Sequence, residues 1–244
     1  MIIEAGLTRY EEVNDLIKKE LSARKKVTVK DVNGQRYIGC ALDEGKTIEV
    51  HGTPGNDMAC YLNGGKVIVY GNCQDAVGNT MNGGEIVVHG HSGDAMGYGM
   101  RDGQIYIRDN VACRGGIHMK EFRRMRPVLV IGKNAGSFLG EYMAGGTIVL
   151  LGIDLKRGEK LFGTHCASGM HGGKIFVRGN FPKENLSPNI KITNLDDEDK
   201  KELEGYVKKY CKYFDYNYDT VMSKPFRKLV PKTTRPYANL YTPN

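Results

Sequence analysis

The sequence predicts a mainly β fold, a single-stranded right-handed parallel β-helix of about seven turns with short helical caps at both ends. Three observations predict it: abundant glycine, a short apolar strand that recurs at near-constant spacing, and a glycine corner before that strand. There are 32 glycines in 244 residues, roughly twice the ordinary share of about 7%. The strand recurs as IEVHG at 48–52, VIVYG at 67–71, IVVHG at 86–90, IYIRD at 105–109, VLVIG at 128–132, IVLLG at 148–152 and IFVRG at 175–179. Its end positions lie 19, 19, 19, 23, 20 and 27 residues apart.

The first and third positions of each strand are aliphatic: Ile48/Val50, Val67/Val69, Ile86/Val88, Ile105/Ile107, Val128/Val130, Ile148/Leu150 and Ile175/Val177. Side chains two apart on a strand share a face. These pairs are therefore expected to stack into one apolar ladder, which no turn could bury by itself. The corner reads Leu62-Asn-Gly-Gly, Met81-Asn-Gly-Gly, Met100-Arg-Asp-Gly, Met143-Ala-Gly-Gly and Met170-His-Gly-Gly. Its Leu or Met is expected to face inward, and its glycines permit positive φ and close backbone approach. A propeller blade would need about 40 residues. The handedness follows from the preference for right-handed parallel crossovers.

The chain divides into residues 1–40, an N-terminal helix and hairpin cap; 41–181, the repeat; and 182–244, a C-terminal helix and extended arm. Thr8 and Glu11 read as a capping box opening a helix to about residue 25, with Tyr10, Val13, Leu16, Ile17 and Leu21 as its apolar face. Val27–Val32, the Asn33-Gly34 turn and Arg36–Cys40 suggest a hairpin. Past Phe181-Pro182, Thr193 and Asp196 suggest the start of a helix over about 195–213, with Leu203, Val207, Tyr210 and Cys211 on one side. Prolines at 225, 231, 236 and 243 imply an extended final segment, lying along the rod or gripping a partner. Two insertions break the period, Lys120–Arg126 and Asp154–Lys160, and solenoid insertions emerge as loops.

Composition narrows the function. No apolar run approaches the ~18–20 residues of a membrane span, and the first residues lack signal-peptide character, so a cytoplasmic chain with no membrane contact is expected. The six cysteines show no metal or iron–sulfur spacing and read as reduced, small, buried or half-buried residues. The net charge of +7 is scattered and accompanies no nucleic-acid-binding signature, so no nucleic-acid partner is expected. Asp57, Asp75 and Asp94 are expected to stack at corners and to cap backbone amides. His51 and His89 share an outward register two turns apart, too far for one metal. His165 and Cys166 are adjacent and should face opposite ways. Gly97, Gly99 and Gly103 have the wrong spacing for a nucleotide loop. No catalytic, cofactor-binding or metal residue is assigned. Partner contacts are expected at Arg123, Arg124, Arg126, Tyr237, Leu240 and Tyr241.

The repeats resemble the C-terminal GXGXG-motif domain of the glutamate synthase large (alpha) subunit over roughly residues 30–180. Gly140-Glu-Tyr-Met-Ala-Gly-Gly-Thr-Ile-Val-Leu-Leu-Gly152, Ala167–Gly173, Asp75–Gly84 and Gln35–Gly39 with Leu42 carry the likeness. That family's cysteine nucleophile, FMN barrel and cluster cysteines have no counterpart here. The resemblance therefore implies a stand-alone piece of a split glutamate synthase, inactive alone. Its part in glutamate biosynthesis and nitrogen assimilation would be to scaffold a flavin-containing synthase subunit and a glutamine amidotransferase subunit. FMN and an iron–sulfur cluster are then expected on a partner chain and no cofactor on this one, with homo-oligomerisation a further option. The β-helical subunit of formylmethanofuran dehydrogenase carries a similar repeat and is the alternative, beside a general assembly scaffold.

Overall fold

Apolar side chains at every second strand position can be buried only by stacking turn on turn, and the fold is that stack. The computed structural model describes residues 1–235. Strands β3 (Thr47–Thr53), β4 (Asn63–Tyr70), β5 (Asn82–Val88), β6 (Asp102–Ile107), β7 (Val128–Ile131), β8 (Ala144–Leu150) and β9 (Gly172–Arg178) pair in parallel, each with the next. They delimit about six turns of a parallel β-solenoid, slightly fewer than expected. Before them, β1 (Ile2–Glu4) and β2 (Lys26–Asn33) extend the same parallel sheet. The expected hairpin is thus not formed: Lys26–Asn33 pairs with β3 rather than folding back on 36–40. Its Val27 and Val29 continue the ladder below Ile48 and Val50.

All fourteen ladder residues are buried, as are Leu62, Met81, Met100, Met143 and Met170 at the corners. One strand departs from the expected register. Ile105 pairs with Leu129 and Ile107 with Ile131. Leu129 and Ile131 therefore face the solenoid core, while Val128 and Val130 face out. The step from Ile105 to Leu129 is 24 residues and that from Leu129 to Ile148 is 19. A one-residue slip exchanges the faces of a strand. Here both faces are apolar, so alternation within VLVI could not set the frame. The corner glycines are sterically required: Gly84 has φ +89, and a Cβ there would lie 2.2 Å from the Gly65 carbonyl oxygen.

The outward face of the later strands is a second core. Val87, Tyr106, Val130, Val149 and Phe176 pack beneath Leu203, Val207, Tyr210, Cys211 and Phe214 of helix α2 (Asp197–Phe214). Tyr210 donates to the Arg108 carbonyl at 2.9 Å. Its hydroxyl comes so close to Gly132 that a Cβ there would sit 2.0 Å away. Ion pairs flank this seam. Glu85 accepts from Lys66, Lys209 and Tyr213, and Lys174 pairs with Asp199 and Glu202. Burial pushes the Glu85 carboxyl up, but those donors hold it below the usual range. The helix starts at Asp196, not Thr193, through a capping box with Asp199.

At the N-terminus, helix α1 (Tyr10–Ala23) is capped by Arg9 with no side-chain hydrogen bond, so the Thr8–Glu11 box is not made. Val13, Ile17 and Leu21 are buried while Tyr10 and Leu16 are exposed, a narrower stripe than expected. At the other end, the chain after α2 is described to residue 235. It forms helix α3 (Tyr218–Met222) and β11 (Phe226–Pro231). β11 runs antiparallel between β9 and β10 (Ile190–Thr193), so it covers the open edge of the last turn. No helix among the described residues is long and apolar enough to cross a membrane.

Replacing Val88 with Asp places a carboxylate in the fully buried ladder, which should cost about 4 kcal/mol. Thermal unfolding should fall by roughly 10 °C; a shift of a degree or two would show that Val88 does not face the core.

Candidate interaction surface

Each turn returns from strand to strand through a segment of one backbone pattern. Between β2 and β9 there are seven such segments, each with three alternate residues at positive φ, for example Ala76, Gly78 and Thr80. Only seven of those twenty-one residues are glycine. In the five segments from Asp57 to Tyr142 the outer two N–H groups donate to the following turn and the central one to the preceding turn. Ala76 donates to Asp94 at 2.8 Å, Thr80 to Tyr98 at 2.8 Å and Gly78 to Met58 at 2.9 Å. The central residue faces the core and is always Gly or Ala. The outer two face outward, and in the turns after residue 110 most of them are large.

Those outward residues form a ladder of rings. His118 stacks on Tyr142 at 5.2 Å between centroids and meets the edge of Tyr98 at 5.8 Å. Phe138 stacks on His165 at 4.9 Å, and the Arg114 guanidinium lies 5.1 Å from the Phe138 ring. Arg114 also pairs with Glu141 at 3.4 Å. Tyr98 is 42% and Tyr142 38% exposed. A non-glycine residue held at positive φ costs roughly 1–2 kcal/mol. His118, Phe138, Tyr142 and His165 all carry that strain, at φ +51 to +63.

Arg123, Arg124 and Arg126 lie on the first insertion, which leaves the same turn as His118. Phe122 and Met125 exchange backbone hydrogen bonds at 3.1 and 3.0 Å, making a tight exposed loop. Arg123 covers the Phe122 ring at 5.0 Å, and the Arg126 amide donates to Asp102 at 3.1 Å. Glu121 accepts from the Gly146 amide at 3.0 Å. Arg101, Lys120, Arg123 and Arg124 make no ion pair among the described residues, so positive charge stands free beside exposed Phe122 and Met125. Tyr, Arg and Met are the residues enriched at protein interfaces. Nothing in the repeat pattern distinguished the aromatic ladder from other outward positions; the signal was the large residue where glycine relaxes the backbone. Tyr237, Leu240 and Tyr241 lie outside the described residues.

The chemistry-bearing residues have structural partners. Asp75 accepts from the Asp94 amide, and Asp94 from the Cys113 amide, each at 2.8 Å. Asp57 is not in that column: Asn56 is, accepting from the Asp75 amide at 3.2 Å, while Asp57 takes the Asn79 amide at 3.1 Å. Tyr70 lies between His51 and His89, stacked 4.8 and 4.9 Å from them. Cys166 is buried opposite His165, which pushes its thiol up to about 12. Among the described residues no three His, Cys, Asp or Glu side chains gather as a metal site.

Comparison with known proteins places this geometry. Residues 10–237 match the model of the GXGXG motif family, the domain found at the C-terminus of the glutamate synthase large subunit. The chain is 44% identical over 253 aligned positions to the uncharacterized protein MJ1350 of Methanocaldococcus jannaschii, covering all of this chain and 97% of that protein. Among solved structures, a chain of the formyltransferase/hydrolase complex FhcABCD from Methylorubrum extorquens, in complex with methylofuran, shares the fold. The TM-score is 0.64 at 20% identity, over 85% of this chain and 78% of that one.

If the ladder residues are strained, glycine should suit the backbone better than alanine. His118→Gly and Phe138→Gly should each be more stable than the matching alanine variant, by about 1 kcal/mol. Equilibrium unfolding in denaturant measures the difference, and alanine equal to or above glycine would remove the strain argument.

Proposed function

The chain belongs to the GXGXG motif family, and from that membership we propose that it is a non-catalytic structural subunit of a split glutamate synthase. It holds a glutamine amidotransferase chain and a flavin-containing synthase chain in their relative places. The synthase chain carries FMN and the iron–sulfur cluster, and the complex makes glutamate from glutamine and 2-oxoglutarate. The observation that carries this reading is the family match across nearly the whole chain, joined to an exposed aromatic and basic surface on the later return segments and the first insertion. A rigid rod suits the task, since spacing set by stacked backbones changes little on binding. The surface offers aromatic anchors at Tyr98, His118, Phe138 and Tyr142. The free cations of the first insertion would meet an acidic partner face and speed encounter.

A second reading has one specific observation in its favour, the fold shared with a chain of a formyltransferase/hydrolase complex. On that reading the chain is the counterpart of the β-helical subunit of formylmethanofuran dehydrogenase. Both readings make it one member of a multi-subunit assembly.

Co-expression with the flavin-containing synthase and amidotransferase chains of the same cell separates them. Co-elution in size-exclusion chromatography and a gain in glutamine-plus-2-oxoglutarate activity are expected. His118→Gly with Phe138→Gly should weaken co-elution by at least roughly tenfold, the scale of two interface anchors, while the variant stays folded. Absence of both co-elution and activity gain would discard the glutamate synthase reading, and co-elution with a molybdenum or tungsten formyl-transfer enzyme would install the second.

A further inference from the structure

The longer insertion and the segment after α2 enclose a cleft of about 880 Å³ at the end of β9. Its inner wall is Arg178, only 8% exposed. The guanidinium donates to the carbonyls of Val221 at 2.5 Å, Leu151 at 3.2 Å and Thr220 at 3.2 Å. All three acceptors are neutral, and Arg178 has no ion-pair partner among the described residues. A guanidinium carries five N–H donors, so three contacts leave two. Burying a cation without an anion is costly, and here burial lowers its basicity, opposed only by the more distant Asp154.

Other polar groups converge on the same space. Lys224, Asn180 and the Tyr216 hydroxyl line the cleft with no hydrogen-bond or ion-pair partner among the described residues. Asp154 is its acidic lining group. Ile153, Leu155 and Leu161 supply apolar wall. The insertion also carries Lys156, Arg157 and Lys160, none in an ion pair among the described residues, against Asp154 and Glu159. An apolar cleft with a few convergent polar groups is the common form of a small-molecule site. Planar guanidinium donors match a carboxylate in particular.

We propose that this cleft binds a small organic carboxylate, its carboxylate held by Arg178 and Lys224 and its apolar body against Leu155 and Leu161. The site does not depend on which partner the chain takes. The carbonyls of Leu151, Thr220 and Val221 account for three Arg178 donors and leave two at the wall of the cleft, with exposed Lys224 and Asn180 at its rim.

The test is calorimetric titration of the full chain with hexanoate, succinate and inorganic phosphate at constant ionic strength. Hexanoate or succinate should bind in the millimolar range or tighter, and more tightly than phosphate. Lys224→Ala and Asn180→Ala, both away from the cores, should keep the parent's thermal stability. Lys224→Ala should weaken carboxylate binding roughly tenfold, the loss of one charge-assisted contact. Arg178→Met should abolish binding, and if it also unfolds α3 the lysine variant still decides. No heat from either carboxylate up to about 10 mM, binding unchanged in Lys224→Ala, or phosphate binding as well as the carboxylates would each overturn the proposal.

Discussion

Every turn of this molecule depends on exchanging backbone hydrogen bonds with the turns on either side. A coil of about 19 residues has no partner inside itself for most of its N–H and C=O groups, and leaving them buried and unpaired would be prohibitive. The strands meet that demand by parallel pairing. The return segments meet it by alternate residues at positive φ, which aim successive N–H groups at the following and the preceding turn. Insertions are tolerated only where they satisfy their own groups. Phe122 and Met125 pair with each other, and Lys156 and Glu159 form a small turn, the Glu159 side chain accepting from the Lys156 amide at 2.9 Å.

That backbone demand determines what the side chains can do. The central residue of each return segment lies against the aliphatic ladder: a Cβ on Gly78 would sit 2.7 Å from Ile105 Cδ1, so larger residues are excluded there. The outer residues point away and are free to vary in size, yet the backbone there favours glycine. In the middle turns these positions hold small residues such as Ala76, Thr80 and Ala95. In the later turns they hold Arg114, His118, Phe138, Tyr142 and His165. The change happens without any change in the backbone pattern, so the fold does not account for it.

Much of the solenoid is legible because its signal is periodic. In every strand but the fifth the aliphatic pairs state the inward face directly, as do the Leu or Met corners. The fifth strand reads one residue out because VLVI is apolar on both faces, and the closing glycine of VLVIG stands opposite Arg108, one position early. The second core is also written in the strands. Their middle residue is Glu49 in β3 but Val87, Tyr106, Val149 and Phe176 later, an apolar outward column that needs a cover. β2 resembles half of a hairpin because Asn33-Gly34 is a strong turn signal. Here Gly34, at φ +81, only starts the next return segment. Asp57 falls outside the column because it stands five residues past its strand-end glycine, where Asp75 and Asp94 stand four; Asn56, at four, holds the place.

The two faces of the sheet explain why binding surfaces collect where they do. Along the later strands α2 covers the outward face, held by Tyr210 and Phe214 and by the charges on Glu85 and Lys174. A neighbouring outward column, two residues further along the strands, holds His51, Tyr70 and His89, and it ends against Phe214. The strand face is thus largely committed to the molecule's own helix. Asp75 and Asp94 are committed to amides of the next turn, and Cys166 to the core. What remains uncommitted sits on the return segments and at the insertions, where a residue can change without breaking the exchange between turns. The free cations at 120–124 and the buried but anion-less Arg178 are both found beside insertions for that reason. Additions to a stacked chain can carry new chemistry only where the stack has already closed its own hydrogen bonds.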